Sequence, residues 1–395
     1  MPTSRPPAIL LGGDTNALAI ARSLGAAGIT VYTIGVAPYV ERSRWVSPLP
    51  VTGRAARPED VWAQWLLGPN AQHLHGSVVL ATGDIGILAI ARNRPALLER
   101  YLLDVSDVDA QLAMLDKLTT YETARAAGVP TPLFWRVDCP ADLQRLRAEL
   151  VYPLIIKPLL SHEYKARFPG LSKFRLATGW DELQRGHRDL DDAGLAVMLV
   201  EKIPGGDELL CSYTTYIDGS GSPTFDYTKR MLRRNLPNEG LGCYHVTDWI
   251  PEVKEVALQL LKHAGLRGPA AVEFVRDTRD GKLKLIECNA RFSAALPLTV
   301  ASGIDLPLHV YLRTLGERHE LPRSYRPGKR LLYPSDDVRS FLALRRAGSL
   351  DTGAWVRSLL HRQTFPVWSS RDPLPALARG WQRSVSGAQK AVAAR

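Results

Sequence analysis

Residues 271–289 read AVEFVRDTRDGKLKLIECN, two apolar runs separated by a polar segment at Asp277–Gly281. Runs of this length on either side of an Asp/Gly-containing turn predict a β-hairpin with strands over 271–276 and 282–287. Glu287 and Asn289 are two residues apart on an extended segment, so they share a face. A turn centred near Asp280 sets Glu273 opposite Glu287. A two-residue shift of pairing keeps both carboxylates on that face, and a one-residue slip separates them. Two carboxylates and an amide oxygen form a set of hard oxygen donors suited to Mg²⁺ held together with substrate phosphates. Arg291 continues the alternation toward the same face. The competing interpretation is a pair of solvated sheet carboxylates. Val272, Phe274, Leu285 and Ile286 weigh against it, because their apolar side chains make this hairpin part of a core.

Upstream, Tyr152–Pro158 is a short apolar strand closed by proline, with Lys157 at its rim. A lysine there can project toward a phosphate, although strand-end lysines are commonly solvated. The following segment, 161–173, carries His162, Lys165, Arg167, Gly170 and Lys173, and reads as a basic lid over a polyphosphate or as an ordinary exposed loop. No GxxxxGK[ST] occurs, which excludes a P-loop as the phosphate device. Ala196–Glu201 is a further strand, and Lys202-Ile203-Pro204-Gly205-Gly206-Asp207-Glu208 leaves it. Backbone at such an exit can pair with an adenine edge, and Glu208 can accept from ribose hydroxyls; a polar turn reads the same way. Leu209–Ile217 and Thr224–Lys229 pair around Asp218–Gly221. Lys229, Arg230, Arg233 and Arg234 are candidates for a substrate carboxylate, or a solvated basic face. Helices are predicted over 116–128 and Pro251–Ala264.

The N-terminal part has a different pattern. Ala8–Gly12 is a buried strand, 17–27 is helical, and Thr30–Gly35 is a second strand; Ser77–Thr82 and a helix from Ile85 follow. This is a βαβ arrangement with a parallel sheet, a doubly wound domain over about the first 110 residues. Its Gly12-Gly13 turn lacks the full GxGxxG spacing, so a nicotinamide cofactor is poorly supported. The 395 residues are 45% hydrophobic and 23% charged, which excludes wholesale disorder, collagen and coiled coil. Four isolated cysteines, Cys139, Cys211, Cys243 and Cys288, offer neither a disulfide framework nor zinc spacing, and suit a reducing cytoplasm. No apolar run reaches the length of a membrane span or a signal peptide. No Ser-His-Asp signature is present, and His162 and His245 read as structural or substrate contacts.

The net charge of +10 is uneven: residues 321–395 hold 14 basic and 4 acidic residues, and the preceding 320 are neutral overall. A high pI is therefore no argument for nucleic-acid binding by the whole chain. The basic segment carries Trp355, Trp368 and Trp381 at thirteen-residue intervals. Peripheral contact with an anionic membrane is one interpretation. The favoured expectation is packing of these tryptophans on the body of the protein, with Asp372-Pro373-Leu374-Pro375 stopping any long amphipathic helix.

Taken in order, these segments resemble the ATP-grasp superfamily of carboxylate–amine ligases over roughly residues 8–316. The resemblance rests on Asp116-Lys117 opening a helix, Tyr-Pro-Leu-Ile-Ile-Lys-Pro at 152–158, Val-Glu-Lys-Ile-Pro-Gly-Gly-Asp-Glu at 200–208, and Glu-Cys-Asn-Ala-Arg-Phe at 287–292. The stretch from Asn289 to Pro307 is similar to a D-aspartate-ligase-like branch. The resemblance implies an α/β plus α+β chain: a doubly wound pre-ATP-grasp domain at 1–115, a lid subdomain at 116–205, a catalytic subdomain at 206–320 and a basic extension at 321–395. It further implies that Lys117 and Lys157 contact ATP phosphates, that Glu201, Lys202 and Ile203 form the adenine hinge, and that Glu208 holds the ribose. Glu273, Glu287 and Asn289 would ligate Mg²⁺, with Mn²⁺ as a substitute, and Arg291 would stabilise charge at the reacting acyl carbon. The lid at 161–173 lacks the glycine-rich form of many relatives. The implied activity is an ADP-forming ligase that joins a small-molecule carboxylate to an amine through an acylphosphate. A kinase, a non-amine acyl acceptor and a non-catalytic ATP-binding module are the alternatives.

Overall fold

The structure is a computed structural model that describes residues 5–53, 57–168, 174–238, 240–322 and 324–393. The chain divides into two compact units, 1–106 with 291–331 and 363–395, and 107–290 with 332–362. The units thus interleave along the sequence, and the basic segment after residue 320 is shared between them.

In the first unit, strands β1 (Ala8–Leu11), β2 (Val31–Ile34), β3 (Ser47–Pro48), β4 (Val78–Ala81) and β5 (Leu102–Leu103) form a parallel sheet in the order β3-β2-β1-β4-β5. All four residues of β1 are buried, as a strand covered on both faces requires. Helices Thr15–Ala26 and Asp84–Leu98 leave the carboxyl ends of β1 and β4. At the Gly12-Gly13 turn both φ angles are positive, and a Cβ on Gly13 would lie 2.6 Å from Thr82 Oγ1. The next helix starts there, and its Asn16 side chain donates to the carbonyls of Thr82 (2.7 Å) and Phe292 (3.1 Å). That second bond fastens the segment after Ala290 to the first unit.

The second unit holds two sheets. Strands β6 (Phe134–Val137), β7 (Leu154–Pro158), β8 (Arg175–Ala177) and β9 (Val197–Glu201) run in the order β6-β9-β7-β8. Strands β10 (Leu210–Ile217), β11 (Tyr227–Arg234), β12 (Gly242–Thr247), β13 (Gly268–Arg276) and β14 (Leu283–Asn289) run in the order β14-β13-β10-β11-β12. Helix Pro251–His263 opens with proline in its first turn, where a missing N–H costs nothing. Its Val253, Ala257, Leu260 and Leu261 pack in one cluster with Cys211 and Tyr213 of β10, Val272 and Phe274 of β13, and Leu285 and Cys288 of β14. These strand residues alternate with Ser212, Glu273 and Glu287, so the polar residues take the opposite face. Strands β15 (Arg330–Leu332) and β16 (Gln363–Thr364) pair in parallel.

The C-terminal expectation is corrected. A helix runs over Leu374–Ala393. Pro375 lies in its first turn, where proline is compatible with helix, and so begins the element instead of stopping it. Trp355 is packed, stacked on Phe341 at 4.3 Å, whereas Trp368 and Trp381 are 52% and 73% exposed and do not enter a core.

Candidate active site

The hairpin β13–β14 pairs Glu273 with Glu287 and Ala271 with Asn289. The register near the turn is Arg276 with Leu283 and Phe274 with Leu285, which by itself would set Glu273 opposite Ile286. The register shifts after Phe274, and Ile286 is the extra residue of a β-bulge. The bulge lets Leu285 stay in the helix-covered core while Glu287, two residues on, faces the other way. It also leaves the Ile286 carbonyl outside the regular ladder. That oxygen accepts from Lys157 Nζ at 2.9 Å and from the Tyr121 hydroxyl at 3.2 Å. The Lys157 ammonium also lies 5.0 Å from the Tyr121 ring centroid. Burial, reinforced by Glu287, pushes the Tyr121 hydroxyl pKa up, so it stays protonated and donates.

Across the sheet the pairing continues from Glu273 to Ser212 on β10, from Ser212 to Lys229 on β11, and from Lys229 to Thr247 on β12. Glu287, Glu273, Ser212 and Lys229 thus form one transverse polar row. Lys229 is 5% exposed, and burial lowers its pKa, with Glu273 acting in the opposite direction. The Ser212 hydroxyl is buried with no hydrogen-bond partner among the described residues. Two carboxylates, an amide on the adjoining Asn289 and a buried lysine fit a divalent cation together with phosphate oxygens. Among the described residues no group of three or more His, Cys, Asp or Glu side chains could hold a metal unaided.

The other basic residues of β11 have protein partners. Arg233 makes two bonds to Asp337 (2.6 and 3.2 Å) and lies over the Tyr244 ring; Arg234 meets Asp207 at 2.6 Å, and Arg230 meets Asp248 at 2.6 Å. The basic run is a strand with ion pairs on several sides. Only Lys229 of these four lies in the carboxylate row.

Lys117 begins helix Lys117–Ala126 and is buried; its Nζ donates to the carbonyls of Pro158 (3.0 Å) and Leu159 (3.1 Å) and to Ser161 Oγ (2.7 Å). It therefore clamps the chain leaving β7. The segment that follows is a helix, Ser161–Arg167, and residues 169–173 of the expected lid lie outside the described residues.

Glu201 closes β9 and is buried; its carboxylate accepts from the Leu133 amide at 3.1 Å and pairs with Arg279 at 2.5 Å. Lys202 N donates to the Pro153 carbonyl at 3.0 Å. Ile203 forms an apolar cluster with Leu210 and Val275, against which Leu209, Met231 and Ile286 pack. Sequence marks Ile286 only as a core residue of the hairpin and does not single out Leu209 or Met231, because isolated apolar residues there look like ordinary core. Glu208 is exposed, and its carboxylate lies against Gly206, where a Cβ would collide with it.

Arg291 belongs to the first unit, where its Nε donates to Asp84 Oδ1 at 2.6 Å. Asp84 opens the helix that follows β4, so Arg291 sits at the carboxyl ends of the parallel strands, the usual ligand side of such a sheet. The Asp84 partner, 207 residues away, has no signature in sequence.

The family model described as "Carbamoyl-phosphate synthase L chain, ATP binding domain" matches residues 248–319, which include the β13–β14 hairpin. D-alanine–D-alanine ligase B of Chromobacterium violaceum is 25% identical over 197 residues, 46% of this chain and 59% of that protein. D-aspartate ligase of Enterococcus faecium is 24% identical over 238 residues, 58% of this chain and 56% of that protein. The matched stretch therefore spans under two thirds of either relative. N5-carboxyaminoimidazole synthetase of Staphylococcus aureus, solved with ADP, superposes with a TM-score of 0.63 at 17% identity, covering 82% of this chain and 80% of that one. In fold, the chain is similar to the ATP-grasp proteins.

Proposed function

We propose that the protein is an ATP- and Mg²⁺-dependent, ADP-forming ligase that activates a small-molecule carboxylate as an acylphosphate and joins it to an amine. The observation that carries this is the row of Glu287, Glu273 and Lys229 beside Asn289, with Lys157 held at the bulge next to it. ATP binding alone does not demand two aligned carboxylates. Glu273, Glu287 and Asn289 are assigned to hold Mg²⁺, which when bound neutralises charge on the phosphates. Lys157, Lys229 and, after exchanging a partner, Lys117 are assigned to phosphate oxygens. The backbone at Glu201–Ile203 receives the adenine edge over the Ile203–Leu210–Val275 cluster, and Glu208 takes the ribose.

A carboxylate is a poor acyl donor because oxide is its leaving group. Attack of its oxygen on the γ-phosphorus forms the acylphosphate and releases ADP; the amine nitrogen then displaces phosphate from the acyl carbon. The lysines steady charge in the first step. Arg291 is assigned to the oxyanion of the second. Amino acids are the first class of acid to test, since two relatives are named as D-alanine–D-alanine and D-aspartate ligases. The D-aspartate-ligase-like branch and the four-part domain organisation belong to the same proposal. The test is ADP release across amino acids, dipeptides and small acids, each with and without amines. ADP that appears only with an acid supports the proposal, and ATP binding without turnover across the panel favours a binding module.

A further inference from the structure

His245 on β12 has no part in the site described so far. Lys229 pairs with Thr247 and Met231 with His245, and residues two apart on a strand share a face. His245 is therefore a diagonal neighbour of Lys229 on the face of the carboxylate row, within reach of long side chains. It is 5% exposed, and its Nδ1 is buried with no hydrogen-bond partner among the described residues. Burial and the Lys229 charge push its pKa well below 6.5, so the ring is neutral at pH 7. A hydrogen bond to the Gly242 backbone acts the other way, as donation from a ring N–H does. The Nε2 edge is the one against Gly242, where a Cβ would lie 2.6 Å from Nε2. Nε2 thus carries the proton, and Nδ1 is left with a lone pair. A buried acceptor without a protein donor calls for a guest that supplies one.

Position and charge select the guest. On the ligase reading, on which this assignment rests, the nucleotide takes the exit of β9 and strands β10, β13 and β14, and reaches β11 only at Lys229. In the order β14-β13-β10-β11-β12, His245 lies on the far side of Lys229 from the carboxylates, past the groups assigned to the nucleotide. The Lys229 ammonium disfavours a second cation beside it, and Nδ1 can only accept. An uncharged amine, the form that attacks an acyl carbon, meets both conditions. We propose that His245 Nδ1 is the general base that takes the proton of the amine substrate. The amine nitrogen bonds to the acyl carbon, and the acyl C–O bond breaks with its electron pair going to phosphate. The N–H proton passes to Nδ1 and from there to the departing phosphate, which leaves a neutral amide and hydrogen phosphate.

The test compares two nucleophiles on the full chain. Hydroxylamine is largely unprotonated at pH 7 and traps an acylphosphate without help from a protein base. With each acid–amine pair that the wild type turns over, His245→Asn should keep ATP affinity and form hydroxamate from acid, ATP, Mg²⁺ and hydroxylamine at the wild-type rate. Its kcat for ligation to the amine should fall about a hundredfold, as loss of a general base does. Asparagine keeps a neutral acceptor there but cannot take the proton. A second measurement needs no variant: ¹⁵N NMR of histidine-labelled wild type at pH 7 should show Nδ1 of His245 unprotonated and Nε2 protonated. The assignment is overturned by ligation that His245→Asn leaves unchanged, by hydroxamate formation that falls along with ligation, or by a protonated Nδ1. If no acid–amine pair turns over in the wild type, the ligase reading fails and the assignment falls with it; turnover that the variant preserves removes the assignment alone.

Discussion

Glu287 and Leu285 are two residues apart, yet one faces the polar row and the other the core, because Ile286 is inserted between them as a bulge. Glu287→Ala should therefore remove one of the carboxylates assigned to Mg²⁺ without opening the core. Calorimetry in Mg²⁺ buffer should show ATP affinity about tenfold or more weaker, consistent with loss of a hydrogen-bonded charge contact. What affinity is left should no longer respond to EDTA; full EDTA sensitivity in the variant would remove the metal assignment. A second residue-level prediction concerns His309, whose pKa is pushed down from 6.5 to about 4 by burial, with His319 and Arg313 adding in the same direction. The unfolded chain binds the proton first as pH falls, so this residue's contribution to stability is intact above 6.5 and declines from there to about 4. Urea unfolding of wild type and His309→Gln at several pH values should show the wild type losing more stability across that window. Parallel pH profiles would refute it. The facing of Glu273 and Glu287 was legible in alternating sequence, but the route was not. A turn centred near Asp280 gives that pairing directly, whereas the actual turn is centred half a residue earlier and the bulge restores it.

At the scale of elements, strand β11 is tied to helix Pro334–Arg346 by Arg233 and Asp337, both nearly buried, and Asp337 also accepts from Trp355 Nε1 at 2.9 Å. Removing one member of a buried ion pair leaves the other charge uncompensated, which typically costs about 3–5 kcal/mol. Asp337→Ala should lose stability of that order in urea unfolding, and Arg233→Met/Asp337→Leu should recover much of it. A cost below about 1 kcal/mol, as for an exposed pair, would contradict the burial. This tie spans 104 residues, and no local pattern announces it. The elements around it were mostly readable, because apolar alternation and proline or glycine ends are local signals: helices 116–128 and 251–264 appear as Lys117–Ala126 and Pro251–His263. Strands β6 and β12 were missed because Trp135, Arg136, Tyr244 and His245 blur the apolar pattern. The C-terminal helix was missed for another reason: prolines act as stops inside a helix and as starts in its first turn, and sequence does not say which applies.

On the scale of the whole molecule, chain order and spatial grouping part company. Residues 291–331 pack with the first unit, although the sequence runs on without a linker from Asn289 through Arg291. Bonds such as Asn16 to Phe292 and Arg22 to Asp372, across 276 and 350 residues, make that grouping, and they are invisible before the fold is known. The proposed reaction makes one demand on the molecule as a whole: an electrophile must form before the amine arrives. With a competent acid, ATP and Mg²⁺ but no amine, hydroxylamine should intercept the acylphosphate as a hydroxamate. Lys157 is assigned to phosphoryl transfer, so in Lys157→Ala ADP and hydroxamate should fall together, by about a hundredfold or more if its ammonium contributes like a typical transition-state donor. Arg291→Ala should keep ATP affinity while lowering ligation, because the charge it is assigned to meet develops only at the acyl carbon. Release of AMP and pyrophosphate would mean an adenylate and would exclude this route. A phosphoryl group retained on the final product would turn the assignment to a kinase, with the nucleotide assignments unchanged and the role of Arg291 withdrawn.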